Sequence, residues 1–174
     1  MNYNIVKDEK LKESYIEFDH SSGLKVLLYP MKGYSTAYAL FGTKYGSIDT
    51  CFKTQKEDDF IEIPAGVAHF LEHKLFESEE GDAFTLFAKT GASANAFTSF
   101  DKTCYLFSCA DHFKQSFEYL LSFVQDPYFT AQTVQKEQGI IGQEIGMIED
   151  DPDWVVFMDL MQALYEKHPV RVSV

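Results

Sequence analysis

The 174 residues are 45% apolar and carry a formal net charge of −12. That composition supports a packed core and excludes a disordered chain. The acidic balance excludes nucleic-acid binding and attachment to an anionic membrane, both of which need a basic footprint.

Taken in chain order, the predicted elements begin with three strands. "YIEF" alternates apolar and polar residues, "LKVLLYP" follows a turn at Ser22-Gly23, and "STAYALFGTKYGS" follows Gly33. "CFKTQKEDDFIE" reads as a charged, solvated connection. "IPAGVAHFLEHKLFES" is helical, with Pro64 in its first turn and Val67, Phe70, Leu71 and Leu75 at helical spacing. Gly81-Asp82 is a break followed by a cap, and "AFTLFAKTG" is a short second helix ending at Gly91. "ANAFTSF" and "TCYLFSC" form a hairpin turning at Asp101-Lys102. Three helices close the order: "DHFKQSFEYLLSFVQDP", a long one opened by Thr130, and a last one between Pro152 and Pro169 with Asp151 as cap. The sum is an α+β fold, a mixed and mainly antiparallel sheet with helices packed on one face. One domain is expected over residues 1–174, truncated within a longer protein because "HPVRVSV" opens a further element.

Cys51, Cys104 and Cys109 are odd in number and form no C-x-x-C pair, so reduced, buried thiols are expected. The polar N-terminus lacks an apolar run of signal-peptide length, and no stretch approaches the roughly 18 apolar residues of a membrane span. A cytoplasmic location is the expectation.

The chemistry concentrates in "GVAHFLEHKLFE". On a helix, residues four apart differ by about 40° of rotation, so His69 and His73 face the same way and can share one metal ion. Glu72 projects close to that face, where a carboxylate can take a proton from water. The spacing is H-x-x-E-H, the inverse of the commoner zinc-protease helix. A catalytic zinc needs a third protein ligand. Glu137 and Glu144, seven apart, lie within about 20° of one another on their helix and are candidates for an inward face. Spacing alone equally allows Glu137, Glu144 and Glu149 to line a wet face.

"GVAHFLEH", "GASANAFTSFDKTCYLFS" and "QKEQGIIGQE" together resemble, in order, the insulinase/pitrilysin family of zinc metallopeptidases, and most closely the bacterial relatives of the mitochondrial processing peptidase. The resemblance implies one half-domain of that fold and a zinc-dependent endopeptidase. It implies one Zn²⁺ per chain, held by His69, His73 and Glu144, which lies 71 residues past His73 (144 − 73). Glu149 and Asp150 are competitors for the third position. Glu72 matches the family's general base, and Glu137 the carboxylate that supports catalysis from just outside the ligands. Asn95 and Ala96 lie on the strand whose edge, in the family, adds a substrate peptide as an extra strand. The family pairs two homologous halves around its substrate, so the expected partners are a peptide and a second half, in the same chain or in a paired subunit.

Two rival readings come from other classes. One is a non-catalytic, peptide-binding subunit of the same family, although such members lose motif residues that this chain keeps. The other is an enzyme like S-ribosylhomocysteine lyase, which shares H-x-x-E-H but takes a cysteine as third ligand. His112 and His168 have no partner at metal spacing and read as surface residues. His20 beside Ser21 and Ser22 lacks the third group that a serine nucleophile needs.

Overall fold

A computed structural model describes residues 2–79 and 81–173. The chain divides into two compact units, residues 1–35 and 36–174.

The first unit is a three-stranded antiparallel meander. Its strands are β1 (Asn4–Asp8), β2 (Glu13–Asp19) and β3 (Lys25–Leu28), in that spatial order. β2 and β3 coincide with the expected runs, and Gly23 supplies the positive φ of the turn between them. β1 was not expected. Its stretch "NIVKD" is too short and too charged to announce a strand, and it is set by its register against β2, with Ile5 opposite Ile16.

The second unit is built on a three-stranded antiparallel sheet. The sheet runs β4 (Ala37–Thr43), β10 (Thr103–Cys109), β9 (Ser93–Thr98). Between β4 and β9 the chain makes two short ladders, β5 (Cys51–Phe52) with β6 (Ile61–Glu62) and β7 (Glu77–Ser78) with β8 (Gly81–Asp82). The first of these lies inside the stretch read as a plain connection. Two helices, α1 (Val67–Leu75) and α2 (Ala83–Lys89), flank the second ladder. After the sheet come α3 (Phe113–Phe123), α4 (Ala131–Glu149), α5 (Pro152–Leu164) and a 3-10 turn at Pro169–Arg171. The "HPVRVSV" segment ends in that turn and an extended Val172, with Val174 outside the described residues.

One face of the sheet carries the core. Tyr105, Phe107 and Cys109 alternate along β10 and meet Phe76, Phe87, Leu120 and Phe123 from the helical layer. Aromatic rings do much of the filling: Phe76 stacks on Phe123 at 4.9 Å between centroids. Thr90 and Ser116, both buried, share a 2.8 Å hydrogen bond that ties α2 to α3. The observed architecture is α+β with antiparallel pairing in every described ladder and α1, α2 and α3 against the central sheet.

Capping agrees with the sequence at three helices. Asp82 caps α2, Thr130 caps α4 in a reciprocal box with Thr133, and Asp151 caps α5 ahead of Pro152. The start of α1 differs. Pro64 lies outside it, because Gly66 takes a left-handed conformation (φ 84°) and the helix opens at Val67. Gly46 is constrained by space. A Cβ there would sit 2.5 Å from backbone atoms of Ser99, Phe100 and Lys102, so only glycine lets this loop close on the β9–β10 turn. Backbone bonds from Ser47 to Ser99 and from Ile48 to Phe100 hold the turn in place.

Candidate metal centre

α1 is short, and its apolar stripe is only half buried. Its buried positions are Ala68, Glu72 and Lys74. The helix turns ionisable groups inward because its inner side lines a cavity of about 710 Å³ instead of the aromatic core. His69, Glu72 and His73 from α1, Glu137 and Glu144 from α4, and Asn95 and Ala96 from β9 all line that cavity.

Two turns of α4 face α1. Glu144 Oε2 lies 3.8 Å from His69 Nε2 and 3.5 Å from His73 Nε2. One ligand atom from each of the three residues falls within 4.8 Å of the others. Zinc bonds of about 2.0–2.2 Å arranged as a tetrahedron separate ligand atoms by roughly 3.3–3.6 Å, so the donor set matches such an ion in type, with separations at or somewhat beyond that spacing. A further observation points the same way. Glu144 Oε2 is buried without a hydrogen-bond partner, a costly position for a carboxylate oxygen unless a cation compensates it.

Glu137 occupies a different niche. It is 8% exposed, and its Oε1 lies 2.8 Å from His73 Nδ1. An ionised carboxylate has no proton to give, so the Nδ1–H donates. That leaves the Nε2 lone pair of His73 directed toward Glu144. Glu149 and Asp150 are exposed at the end of α4 and belong to no metal-capable group among the described residues. The group contains a glutamate and no cysteine. Cys104 and Cys109 are buried in β10, and burial raises both thiols above their ordinary range.

β9 is an edge strand, paired with β10 on one side among the described residues. The backbone N–H of Ala96 donates to the Asn95 side-chain oxygen at 2.8 Å, so a peptide using that donor must displace the carboxamide.

The sequence motif "Insulinase (Peptidase family M16)" matches residues 62–174, which include α1, β9 and α4. The chain belongs to this family. It is 50% identical over 169 residues to the uncharacterized zinc protease YmfH of Bacillus subtilis, a match covering 97% of this chain and 40% of that protein. An uncharacterized zinc protease of Rickettsia felis is 26% identical over 165 residues, covering 92% of this chain and 38% of that protein. Among solved structures, a "putative M16-like peptidase" from Alicyclobacillus acidocaldarius superposes with a TM-score of 0.86 at 40% identity, over 100% of this chain and 38% of that one. A protease from Helicobacter pylori shares the fold, with a TM-score of 0.72 at 20% identity, over 98% of this chain and 37% of that one. The chain thus spans about two fifths of the length of these relatives.

Three residues around this candidate site were not singled out from sequence. Thr98 donates to Glu72 Oε2 at 2.6 Å. Its signal was the two-residue period of β9, which puts it on the same side as Ala96. Lys74 is fully buried and pairs with Glu77, whose other oxygen lies 3.8 Å from Lys136 on α4. A lysine inside an apolar helical run gave no hint of this. Gly46 was hidden because close approach by a distant turn leaves no local mark. The remaining histidines lie apart from the cavity lining: His20 is 2.8 Å from Ser22 in an exposed turn, His112 precedes α3 at the surface without capping it, and His168 caps the 3-10 turn.

Proposed function

We propose that this chain is the metal-binding part of a zinc-dependent endopeptidase, with Glu72 as general base. The observation that carries the reading is the meeting of His69, His73 and Glu144 around an unpartnered, buried carboxylate oxygen. These three residues would hold the ion. When bound, zinc lowers the pKa of water toward about 7 and polarises a carbonyl.

The chain's own residues do the rest. Glu137 holds the Nδ1–H of His73 and so fixes the ring with Nε2 free. Glu72 takes a proton from the attacking water and delivers it to the leaving amide nitrogen. The free edge of β9 receives the peptide main chain near Ala96, with the Asn95 carboxamide moving aside. Recognition through main-chain atoms suits unfolded polypeptides of varied sequence. A second homologous half, in the same chain or a paired subunit, closes the cavity over the substrate.

Metal analysis of the full-length protein tests the ligands. It should contain about one zinc per chain, and His73→Ala should lack it; full zinc in that variant would overturn the assignment. Glu72→Gln should keep the zinc and cleave an internally quenched peptide about 10²–10⁴-fold more slowly. Cleavage at the wild-type rate would remove Glu72 from the mechanism.

A further inference from the structure

We infer that Thr98 is a positioning residue for Glu72, fixing which carboxylate oxygen faces the substrate. The inference rests on Glu72 acting as the base. Glu72 is 9% exposed, and its Oε2 accepts from Thr98 Oγ1 at 2.6 Å. That length falls in the range of about 2.5–2.7 Å for a hydroxyl donating to an ionised carboxylate.

An ionised carboxylate only accepts, so the Thr98 hydroxyl is the donor, and a second acceptor competes for its single proton. Thr103 is 2% exposed, and its hydroxyl donates to the Tyr45 carbonyl at 2.9 Å. Its single proton is spent there, so toward Thr98 it can only accept. The two threonine oxygens are 3.4 Å apart, against 2.6 Å from Thr98 to the carboxylate. The shorter, charge-assisted bond takes the Thr98 proton. Thr98 is β-branched and lies on β9 opposite Thr103, so the position of its Oγ1 is restricted. The tie commits Oε2 to the strand and leaves Oε1 to handle the proton. It also links the base to the strand whose edge, two residues away at Ala96, is proposed to hold the peptide.

The loss should appear in turnover, with little change in binding. Thr98→Val keeps the shape of the side chain and removes the donor. In the full-length protein, kcat toward a quenched peptide should fall roughly 10–100-fold, with KM and zinc content unchanged. Thr98→Ser should restore kcat to within about threefold. In the Glu72→Gln background, Thr98→Val should cost less than about twofold more, because residues that act as a unit are not additive. Affinity for a non-cleavable peptide should not change in any of these variants. Thr98→Ala replaces Thr98→Val if the valine variant misfolds, with the same expected result. The inference is overturned if Thr98→Val turns over within twofold of wild type while Glu72→Gln is slow. It is also overturned if the two losses multiply, if serine fails to rescue, or if the variant loses zinc. If Glu72→Gln itself turns over at the wild-type rate, the base assignment fails and this inference with it.

Discussion

Glu137 and Glu144 carry the same side chain two helical turns apart, yet their surroundings give them different chemistry. Glu137 is buried with its charge satisfied by a ring N–H, whereas Glu144 turns a bare oxygen toward two imidazole nitrogens. Substitutions should separate the roles. Glu144→Gln should weaken zinc binding most, because it replaces an anionic donor with a neutral one. Glu137→Gln should cost roughly 10–100-fold in affinity or activity, the usual loss when a ligand's support is removed. Glu149→Gln should leave zinc affinity unchanged, since Glu149 is exposed at the end of α4. Competition with a chromogenic chelator measures all three, and a larger effect at Glu149 than at Glu144 would move the ligand along the helix.

Between elements, charged contacts join α4 to α1 and to the strand that follows it. Glu137 is the only buried residue along the 19 residues of α4, and Gly139, Gly142 and Gly146 add no side chain. The clamp is at the far end of α1. Lys74, sealed from water, pairs with Glu77, which also reaches Lys136, and its ammonium lies 5.9 Å from the ring of Phe129, just ahead of α4. Glu77→Gln would leave a buried ammonium without its counter-charge and should cost about 3 kcal/mol in denaturant unfolding. Adding Lys74→Met should recover most of that loss, since it removes the buried charge that Glu77→Gln leaves unpaired. The elements themselves were largely legible, because caps at Asp82, Thr130 and Asp151 and the alternation in β9 and β10 are local signals. The H-x-x-E-H spacing likewise grouped His69, Glu72 and His73, which all line the cavity. Hidden from sequence were features decided by distant neighbours. The Thr98–Glu72 bond joins residues 26 apart, and the Lys74–Glu77 pair reaches α4 only through Lys136; for Glu137 the spacing left an inward and a wet face equally open, and its contact with His73 on another helix decides between them. The late start of α1 is the exception, a local glycine effect that the apolar spacing concealed.

For the molecule as a whole, buried acids set an alkaline limit. Burial, and then the nearby Glu72 charge, pushes the Tyr105 phenol above its ordinary 10.0, and burial raises Cys104 and Cys109 above 9.0. The folded state therefore holds these protons more tightly than the unfolded one. The stability they contribute is complete below about pH 9 and is lost as pH rises through the folded-state values. Melting temperature should fall from pH 9 upward, and Tyr105→Phe should flatten that decline; an unchanged slope would remove Tyr105 as a cause. The separation of the site's two halves along the chain has a consequence at another stage of the protein's life. His73 and Glu144 are 71 residues apart (144 − 73). At a synthesis rate of about 5–20 residues per second, roughly 4–14 s pass between the joining of one to the chain and the joining of the other. During that interval the growing chain carries both histidines and no carboxylate from α4. Closing a loop of that length then costs roughly 4 kcal/mol in chain entropy, which the β9–β10 hairpin, α2 and α3 offset by folding between the two halves. All three strands of the central sheet are therefore joined to the chain before the candidate donor set is complete.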